Sequence, residues 1–310
     1  MIQVNNLTRY YGSFPALRDV SFDVKEGEII GLLGLNGAGK STALQILAGV
    51  LAPSSGRVQL NGRDVTDNAD ELKASIGFLP EEPPLYRDMR VGDFLVYCAQ
   101  LKGMSGSVAR GRLPVLLHQT GLSEREKQVI GTLSHGYKKR VGIAMAVIHN
   151  PKLVILDEPI SGLDPKQIKD MRAVIKGLSK GRAVLLSSHI LSEISRTCDR
   201  LLFLKDGRLV ASGNQADLVA PRSSAERMVL TARADGAKLS EWLTAHASVA
   251  SATQLEADGD GLVRFDVSMN GDDREQLIPE LAAAGFGVRL IEEPTLDLEE
   301  TFLGLTGGAA

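Results

Sequence analysis

Short apolar runs, bounded by glycine, proline or charged residues, alternate along most of the chain with segments of helical periodicity. Runs of this kind are typical of buried strands, and apolar positions three and four residues apart are typical of helices. In the first 220 residues they predict strands at 4–7, 20–24, 28–33, 56–60, 76–80, 152–156, 183–188, 201–204 and 208–211. The helical pattern predicts helices at 41–49, 91–102, 108–120, 124–130, 141–148 and 166–177. This order indicates an α/β fold whose buried strands are interrupted by a helical insertion.

The pattern changes after residue 220, where Pro221-Arg222-Ser223-Ser224 breaks it and marks a domain boundary. The tail then predicts a strand, a helix, two strands, a helix and a strand, at 228–231, 239–247, 248–255, 262–267, 274–284 and 287–291. A turn is predicted at 258–261 and a last helix at 296–305. The β-α-β-β-α-β order is that of a small ferredoxin-like α+β domain. We therefore expect a first domain at 1–220, with a helical subdomain at about 85–150, and an accessory or regulatory domain at 221–310.

Composition is that of a globular protein, and it excludes some functions. The net charge is −3 from 35 Lys+Arg and 38 Asp+Glu, so no global basic field indicates binding to nucleic acid or anionic lipid. The two cysteines, Cys98 and Cys198, lack metal-ligand spacing and are expected to be buried free thiols in a reducing compartment. No run reaches the ~20 apolar residues that span a bilayer. A role in a membrane process would thus require docking on another protein.

A phosphate-binding loop lies between a predicted strand and a predicted helix. Residues 34–42 match the pattern G-x-x-x-x-G-K-[ST]. In this context backbone N–H groups and the helix dipole cradle phosphate oxygens. Lys40 would reach the β- and γ-phosphates, and the Ser41 hydroxyl would bind Mg²⁺. The residues that we assign to the nucleotide site here are Gly34, Asn36, Gly37, Ala38, Gly39, Lys40, Ser41 and Thr42.

Acidic and imidazole side chains follow three of the other predicted strands. Asp157 and Glu158 end the run 152–156, Glu81 follows 76–80, and His189 follows 183–188. Ligands of open parallel sheets bind at the carboxyl ends of the strands. Asp157 would hold Mg²⁺ through water, and Glu158 would orient or deprotonate the attacking water. Glu81 fits either a metal site or a solvated acidic loop, and His189 either a γ-phosphate contact or an ordinary surface position.

Two further segments carry candidate contacts. Ser134 suits the N-cap of a helix, and a helix start preceded by serine and glycine is a second potential anion site. The cations 138–140 in its first turn are disfavoured by the helix dipole and indicate either an anionic partner or ordinary solvation. In the turn-rich link 10–15, Tyr11 could fill the core or stack on a nucleotide base.

The order and spacing of these segments along residues 1–220 resemble those of the ATP-binding cassette (ABC) ATPases. The matching segments are 34–42, 133–137, 156–159, 161–164 and His189. The resemblance implies a P-loop ATPase core with a mixed sheet, which binds ATP and Mg²⁺ and hydrolyses ATP to ADP and phosphate. It also implies that Tyr11 stacks on adenine, Glu158 is the catalytic base and His189 contacts the γ-phosphate.

The resemblance further implies that two copies, or one copy and a paralogue, face each other head to tail. Ser134 and Gly136 would then contact the partner's ATP, and Asp164 would communicate across the dimer. Two positions depart from the family pattern. Glu81 stands where the family usually has a glutamine that contacts Mg²⁺ and water, and His135 and Tyr137 replace the usual signature residues. These variations and the tail at 293–302 are similar to a branch that serves multi-pass exporters.

The leading expectation is therefore the ATPase subunit of an exporter, cytoplasmic and peripheral on the cytoplasmic face of the membrane, working on a separate transmembrane permease. A soluble cassette ATPase acting on nucleic acid or ribosomes is the alternative. Its members typically carry two cassettes or coiled insertions, and the chain shows one cassette and no heptad run. A third interpretation, a non-enzymatic nucleotide-gated scaffold, requires failure of the chemistry at Glu81 or Glu158.

Overall fold

The computed structural model describes residues 2–64, 74–219, 227–255, 261–271 and 273–292. The backbone forms two compact units, and the boundary between them falls after Leu218. The predicted breaker at 221–224, most of the predicted turn at 258–261 and the predicted helix at 296–305 lie outside the described residues. Each unit is described by itself below.

The first unit begins with two long strands, the phosphate loop and a short helix. In chain order its elements up to the helical insertion are β1 (Ile2–Tyr11), β2 (Phe14–Val24), β3 (Ile29–Leu33), α1 (Lys40–Leu47), β4 (Ser55–Leu60), β5 (Arg63–Asp64) and β6 (Ile76–Leu79). The insertion and the elements that follow are α2 (Val91–Leu101), α3 (Gly106–Gln119), 3-10 turns at Ser123–Arg125 and Ile130–Thr132, α4 (His135–Val147), β7 (Leu153–Leu156), α5 (Pro165–Leu178), β8 (Ala183–Ser188), α6 (Leu191–Ser195), β9 (Arg200–Lys205), β10 (Arg208–Gly213) and α7 (Gln215–Val219).

A six-stranded sheet in the order β10-β9-β3-β8-β7-β6 forms the centre of this unit. All of its strand pairs are parallel except β10 with β9. Every residue of β3, β7 and β8 is buried, as the uninterrupted apolar runs predict for strands covered on both faces. Because parallel strands end at the same edge, this sheet brings the segments after β3, β6, β7 and β8 together.

A second sheet, antiparallel in the order β2-β1-β4-β5, packs on the same core. Leu7 and Leu17 from this sheet, Ile30 and Ile155 from the parallel sheet, and Leu44 of α1 are buried in one apolar cluster. The first helix is thus fixed between two layers. This packing holds the phosphate loop, which leads directly into α1, in a defined position.

Two local predictions were wrong. The segment 10–15 was predicted to be a turn-rich link, but β1 extends to Tyr11 and β2 begins at Phe14. Tyr10 and Tyr11 therefore belong to a strand of a hairpin. Residues 124–130 are not a helix, because this segment bonds across to the start of α2: the N–H groups of Val91 and Gly92 donate to the carbonyls of Gln128 and Glu126. Pairing with a neighbouring segment replaces the local helical hydrogen bonds.

The second unit comprises β11 (Arg227–Arg233), α8 (Gly236–Ala245), β12 (Val249–Gln254), β13 (Leu262–Met269), α9 (Arg274–Ala283) and β14 (Gly287–Glu292). Its sheet is antiparallel throughout, in the order β12-β13-β11-β14. Alternate residues of β13 are buried, as expected for a sheet covered by helices on one face. Phe265 of β13, Leu239 of α8 and Leu277 of α9 are fully buried in a core of their own. The predicted βαββαβ order is present.

Across the residues that the structure describes, no helix has both the length and the apolar character needed to cross a bilayer. Cys98 and Cys198 are free thiols, as predicted, but both are only partly buried. Burial nevertheless raises the pKa of Cys98 to about 11 and raises that of Cys198 further.

Candidate nucleotide site

The loop between β3 and α1 has little room for side chains at two of its glycines. Gly39 precedes the first residue of α1 with φ of 102°, a left-handed conformation that side chains disfavour. A Cβ at Gly39 would also overlap the carbonyl oxygen of Ala16. A Cβ at Gly34 would overlap the carbonyl oxygen of Leu204. Tight packing against β2 and β9 therefore shapes the loop.

Lys40, the first residue of α1, is only 7% exposed. Its Nζ donates hydrogen bonds to the carbonyl oxygens of Gly34 at 2.8 Å and Leu35 at 3.2 Å. Burial lowers the pKa of Lys40, and the nearby carboxylates of Glu158, Asp157 and Glu81 act in the opposite direction. The ammonium group is thus held within the loop and faces the acidic ends of β6 and β7.

A cleft of about 510 Å³ opens over this loop. The predicted site residues that line it are Tyr11, Asn36, Gly37, Gly39, Lys40, Ser41, Thr42, Glu81, Glu158 and His189. Phe14 and Ala16 of β2 also line it and were not predicted. The other predicted residues of the loop, Gly34 and Ala38, are buried and do not line the cleft. Five separate segments of the chain therefore meet in one cleft.

Glu158 follows β7 with φ of 47°, so its backbone is in the left-handed region although it is not a glycine. Its N–H donates to Ser187 Oγ at 2.9 Å, and its Oε2 lies 2.9 Å from His189 Nδ1. The Glu158 side chain is largely buried, whereas half of the His189 side chain is exposed. The two side chains form one hydrogen-bonded pair at the cleft.

Ser187 of β8 is a site residue that the sequence did not indicate. It is fully buried, and its Oγ donates to Asp157 Oδ1 at 2.6 Å while accepting the N–H of Glu158. One hydroxyl group thus orients two consecutive acidic residues. The only signal in the sequence was a pair of serines ending an apolar run, which by itself indicates no partner.

The residues predicted to bind magnesium are Ser41, Glu81 and Asp157. Ser41 and Glu81 line the cleft. Asp157 is only 3% exposed and directly precedes Glu158, which also lines the cleft. Among the described residues, the ion pairs include none to Asp157. A hydroxyl and two carboxylates are the oxygen ligands that Mg²⁺ takes in proteins, the remaining ligands being water and phosphate. The donor set therefore fits magnesium.

Tyr11 lies at the end of β1, and 47% of its surface is exposed, so it does not fill the core. The guanidinium group of Arg9 lies 5.0 Å from the centre of its ring. Tyr11 lines the cleft, and a planar aromatic ring in this position can stack on a base. The position is thus compatible with the prediction that Tyr11 stacks on a nucleotide base.

Ser134, Gly136 and Asp164 do not line this cleft. Ser134 is the N-cap of α4, but its side chain makes no capping hydrogen bond within the described structure. Asp164 caps α5, since its Oδ1 accepts the N–H of Gln167 at 2.9 Å. A Cβ at Gly136 would meet the side chain of Gln167. The start of α4 therefore packs against the start of α5.

Two of the three cations at the start of α4, Lys139 and Arg140, have partners within the chain. Arg140 pairs with Asp170 at 3.4 Å, and the guanidinium groups of Arg140 and Arg125 lie 5.8 and 4.8 Å from the ring centre of Tyr137. Lys139 is 3% exposed, and burial lowers its pKa while the carboxylates of Glu81 and Glu158 oppose that effect. An anionic partner is thus not required to explain Lys139 or Arg140.

A glycine-shaped loop entering a helix, with a lysine and a hydroxyl beside acidic strand ends, defines a P-loop nucleotide-binding protein. The model of the family described as ABC transporter matches residues 17–161. The chain belongs to the ATP-binding proteins of ABC transporters, and it is an ATPase that binds ATP.

Two relatives illustrate the extent of the similarity. The linearmycin resistance ATP-binding protein LnrL of Bacillus subtilis (strain 168) is 30% identical over 310 residues, which are 99% of this chain and 98% of LnrL. The bacitracin transport ATP-binding protein BcrA of Bacillus licheniformis is 37% identical over 212 residues, which are 68% of each chain.

A similar solved structure is the dimeric post-hydrolysis state of the ATP-binding cassette MJ0796 bound to ADP and Pi. It superimposes with a TM-score of 0.62 at 28% identity and covers 69% of this chain and 98% of the cassette. The predicted α/β P-loop ATPase fold is confirmed.

Proposed function

We propose that this chain is the ATPase subunit of an exporter and energises a separate transmembrane permease. The observation that carries the proposal is the meeting of Lys40, Ser41, Glu158 and His189 at one sheet edge, in one cleft. Two relatives bear names for linearmycin resistance and bacitracin transport, which supports movement of a compound out of the cell. The chain would lie on the cytoplasmic face of the membrane, bound to the permease.

In the proposed mechanism, backbone N–H groups of the loop and Lys40 hold the β- and γ-phosphates of ATP. The oxygen of a water molecule bonds to the γ-phosphorus while the bond to the β–γ bridging oxygen breaks, and the water proton passes to the Glu158 carboxylate. His189 holds that carboxylate at 2.9 Å. Bound magnesium, held by Ser41, Asp157 and Glu81, would neutralise charge on the phosphate oxygens.

The proposed active form is a head-to-tail dimer with a second copy or a paralogue. Ser134 and Gly136 at the start of α4 would contact the ATP of the partner. Asp164 would communicate between the two nucleotide sites across the dimer. Three features support this arrangement: the exposed Ser134 hydroxyl without a capping bond, the position of both residues outside their own cleft, and the dimeric state of the similar cassette MJ0796.

The decisive experiment compares Glu158→Gln with Glu82→Gln in the purified complex with the permease. Loss of the general base is expected to reduce ATP turnover at least ~10²-fold while ATP still binds. Glu82 is exposed and does not line the cleft, so Glu82→Gln is the matched control and should keep wild-type turnover. Unchanged turnover in Glu158→Gln would remove Glu158 from its proposed role.

Fractionation separates the export proposal from the alternative of a ribosome- or nucleic-acid-associated ATPase. The native protein is expected in the membrane fraction, and a multi-span protein should co-purify with it after mild detergent extraction. Recovery with ribosomes, and not with membranes, would overturn the export proposal and leave the ATPase assignment intact.

A further inference from the structure

Lys139 lies in the second turn of α4, where it is almost completely buried between two of the acidic strand ends. Its Nζ donates a hydrogen bond to the carbonyl oxygen of Glu81 at 2.6 Å and another to the carbonyl oxygen of Glu158 at 3.2 Å. A buried ammonium group is costly unless it is well paired. The exposed fraction of Lys139 is only 3%, so these two backbone acceptors are central to its environment.

The close approach of α4 to β6 explains how the lysine reaches them. A Cβ at Gly77 of β6 would overlap the carbonyl oxygen of Ala146, and a Cβ at Gly142 would meet the side chains of Leu79 and Pro83. The two glycines therefore let the helix lie directly against the strand. This contact places the Lys139 ammonium group at the point where β6 ends.

The same point is where the pairing between β6 and β7 stops. The last paired residues are Leu79 and Leu156, and the N–H of Asp157 still donates to Leu79 O at 2.8 Å. Glu81 and Glu158 each lie two residues beyond that pair. Lys139 donates a hydrogen bond to the carbonyl oxygen of each of them. The lysine therefore joins the two segments beyond the last backbone pair of β6 and β7.

Glu158 is consequently held through three different groups. Ser187 Oγ accepts its N–H, Lys139 donates to its carbonyl oxygen, and His189 pairs with its carboxylate. Its backbone adopts φ of 47°, which a non-glycine residue keeps only when its surroundings fix it. Two of these three contacts act on the main chain and determine the direction of the side chain.

We propose that Lys139 is a positioning residue, which fixes the main chain of Glu158 and Glu81 so that the Glu158 carboxylate faces the attacking water. The inference rests on the proposed function, since it needs Glu158 as the base. Because Lys139 follows Gly136 by three residues on one helix, it also connects the start of α4 to the carboxylates of its own cleft. The helix that would contact the partner's ATP thereby supports hydrolysis in its own protomer.

The test is Lys139→Met, which keeps the length and apolar stem of the side chain but removes both donated hydrogen bonds. The assay is steady-state ATP turnover in the complex with the permease. We expect kcat to fall about tenfold to a hundredfold, because small displacements of a catalytic group have effects of this size. The KM for ATP should change less than about twofold, because the phosphate loop is untouched. Lys180→Met, at an exposed position after α5 that does not line the cleft, is the matched control and should behave as wild type.

Lys139→Arg and Lys139→Gln distinguish a role of Lys139 in positioning Glu158 from a role in filling space. They also replace Lys139→Met as the test if the methionine variant does not fold. Arginine restores a buried donor and should recover part of kcat. Glutamine is shorter and uncharged, and we expect an intermediate kcat at unchanged KM. Unchanged kcat in a folded Met or Gln variant, or a loss that appears in KM alone, would overturn the inference.

A double-mutant cycle with Glu158→Gln completes the test. If Lys139 acts through Glu158, Lys139→Met should have almost no further effect on the residual turnover of Glu158→Gln. Fully additive losses would overturn the inference while leaving Glu158 as the base. If Glu158→Gln itself retains wild-type turnover, the proposed function fails first.

Discussion

The imidazole Nδ1 of His189 lies 2.9 Å from Oε2 of Glu158. The histidine comes from the end of β8 and the glutamate from the end of β7, so the pair depends on the parallel pairing of these neighbouring strands. The carboxylate is largely buried and the imidazole is half exposed. His189 therefore stands between the buried base and the open side of the cleft.

Replacing His189 by alanine should lower ATP turnover about tenfold to a hundredfold, since the Glu158 carboxylate loses the group that orients it. ATP affinity should fall less than turnover. Equilibrium nucleotide binding and steady-state hydrolysis would measure the two effects. His118→Ala, at an exposed position of α3, is the control. Equal losses of affinity and turnover would show that His189 acts mainly by holding ATP.

Ser187→Ala is expected to reduce both stability and turnover, since one hydroxyl group serves Asp157 and Glu158 together. Removing it leaves the Glu158 N–H and Asp157 Oδ1 without this partner, at a cost of about 1–3 kcal/mol. Denaturant unfolding and ATP hydrolysis are the measurements. The adjacent Ser188 is equally buried, and its Oγ accepts the N–H of Ile190, which lies outside the acidic pair. Ser188→Ala should therefore affect turnover much less, and equal turnover losses would contradict the assignment.

Gly77→Ala should destabilise the first unit by about 2–3 kcal/mol, because its Cβ would overlap the carbonyl oxygen of Ala146 in α4. Gly177→Ala in α5 is the matched control, since a Cβ there meets no described atom within 4 Å. In that exposed helical position alanine should stabilise the unit by about 0.5–1 kcal/mol. Opposite shifts of the unfolding midpoint are expected, and a neutral Gly77→Ala would show that α4 can move away from β6.

Stability should decrease with acidification through His149. Burial lowers its pKa to about 4 from 6.5, although its Nε2 lies 3.1 Å from the carbonyl oxygen of Ile76. Below pH 6.5 the unfolded chain gains a proton that the folded chain does not accept until about pH 4. The contribution is therefore fully present above pH 6.5 and is lost as the pH falls toward 4, on the order of 1–2 kcal/mol.

Thermal unfolding at several pH values between 7.5 and 4.5, compared for wild type and His149→Gln, measures this contribution. The glutamine does not titrate, so the variant should lose less stability on acidification than wild type does. His118→Gln, at an exposed position of α3, is the control for the substitution itself. Identical pH dependences of wild type and His149→Gln would contradict the role of this histidine.

What the sequence could predict was local. The phosphate loop, the acidic pair 157–158 and His189 each follow an apolar run, and the rule that parallel strands share an edge is enough to bring them together. Ser187 and Lys139 could not be found in this way. The partners of Ser187 lie 29 and 30 residues away, and those of Lys139 lie 19 and 58 residues away. Neither residue type, in its local context, indicates a specific contact.

Segment 124–130 shows the same limit for secondary structure. Its composition suits a helix, but the N–H groups of Val91 and Gly92 bind its carbonyls and prevent the helical pattern. Burial of Lys139 also differs from the prediction for the basic run at 138–140, which indicates either solvation or an anionic partner. The structure distinguishes two of these positions: Lys139 is buried, and Arg140 pairs with Asp170.

The second unit draws its core from its own strands and helices, with Phe265 between Leu239 and Leu277 in sequence and all three fully buried. The residues that form this core are therefore different from the residues of the nucleotide site. Substitutions among residues 227–292 can accumulate under a selection of their own, and such a unit can diverge in sequence, or be exchanged for another, while the machinery of hydrolysis stays the same.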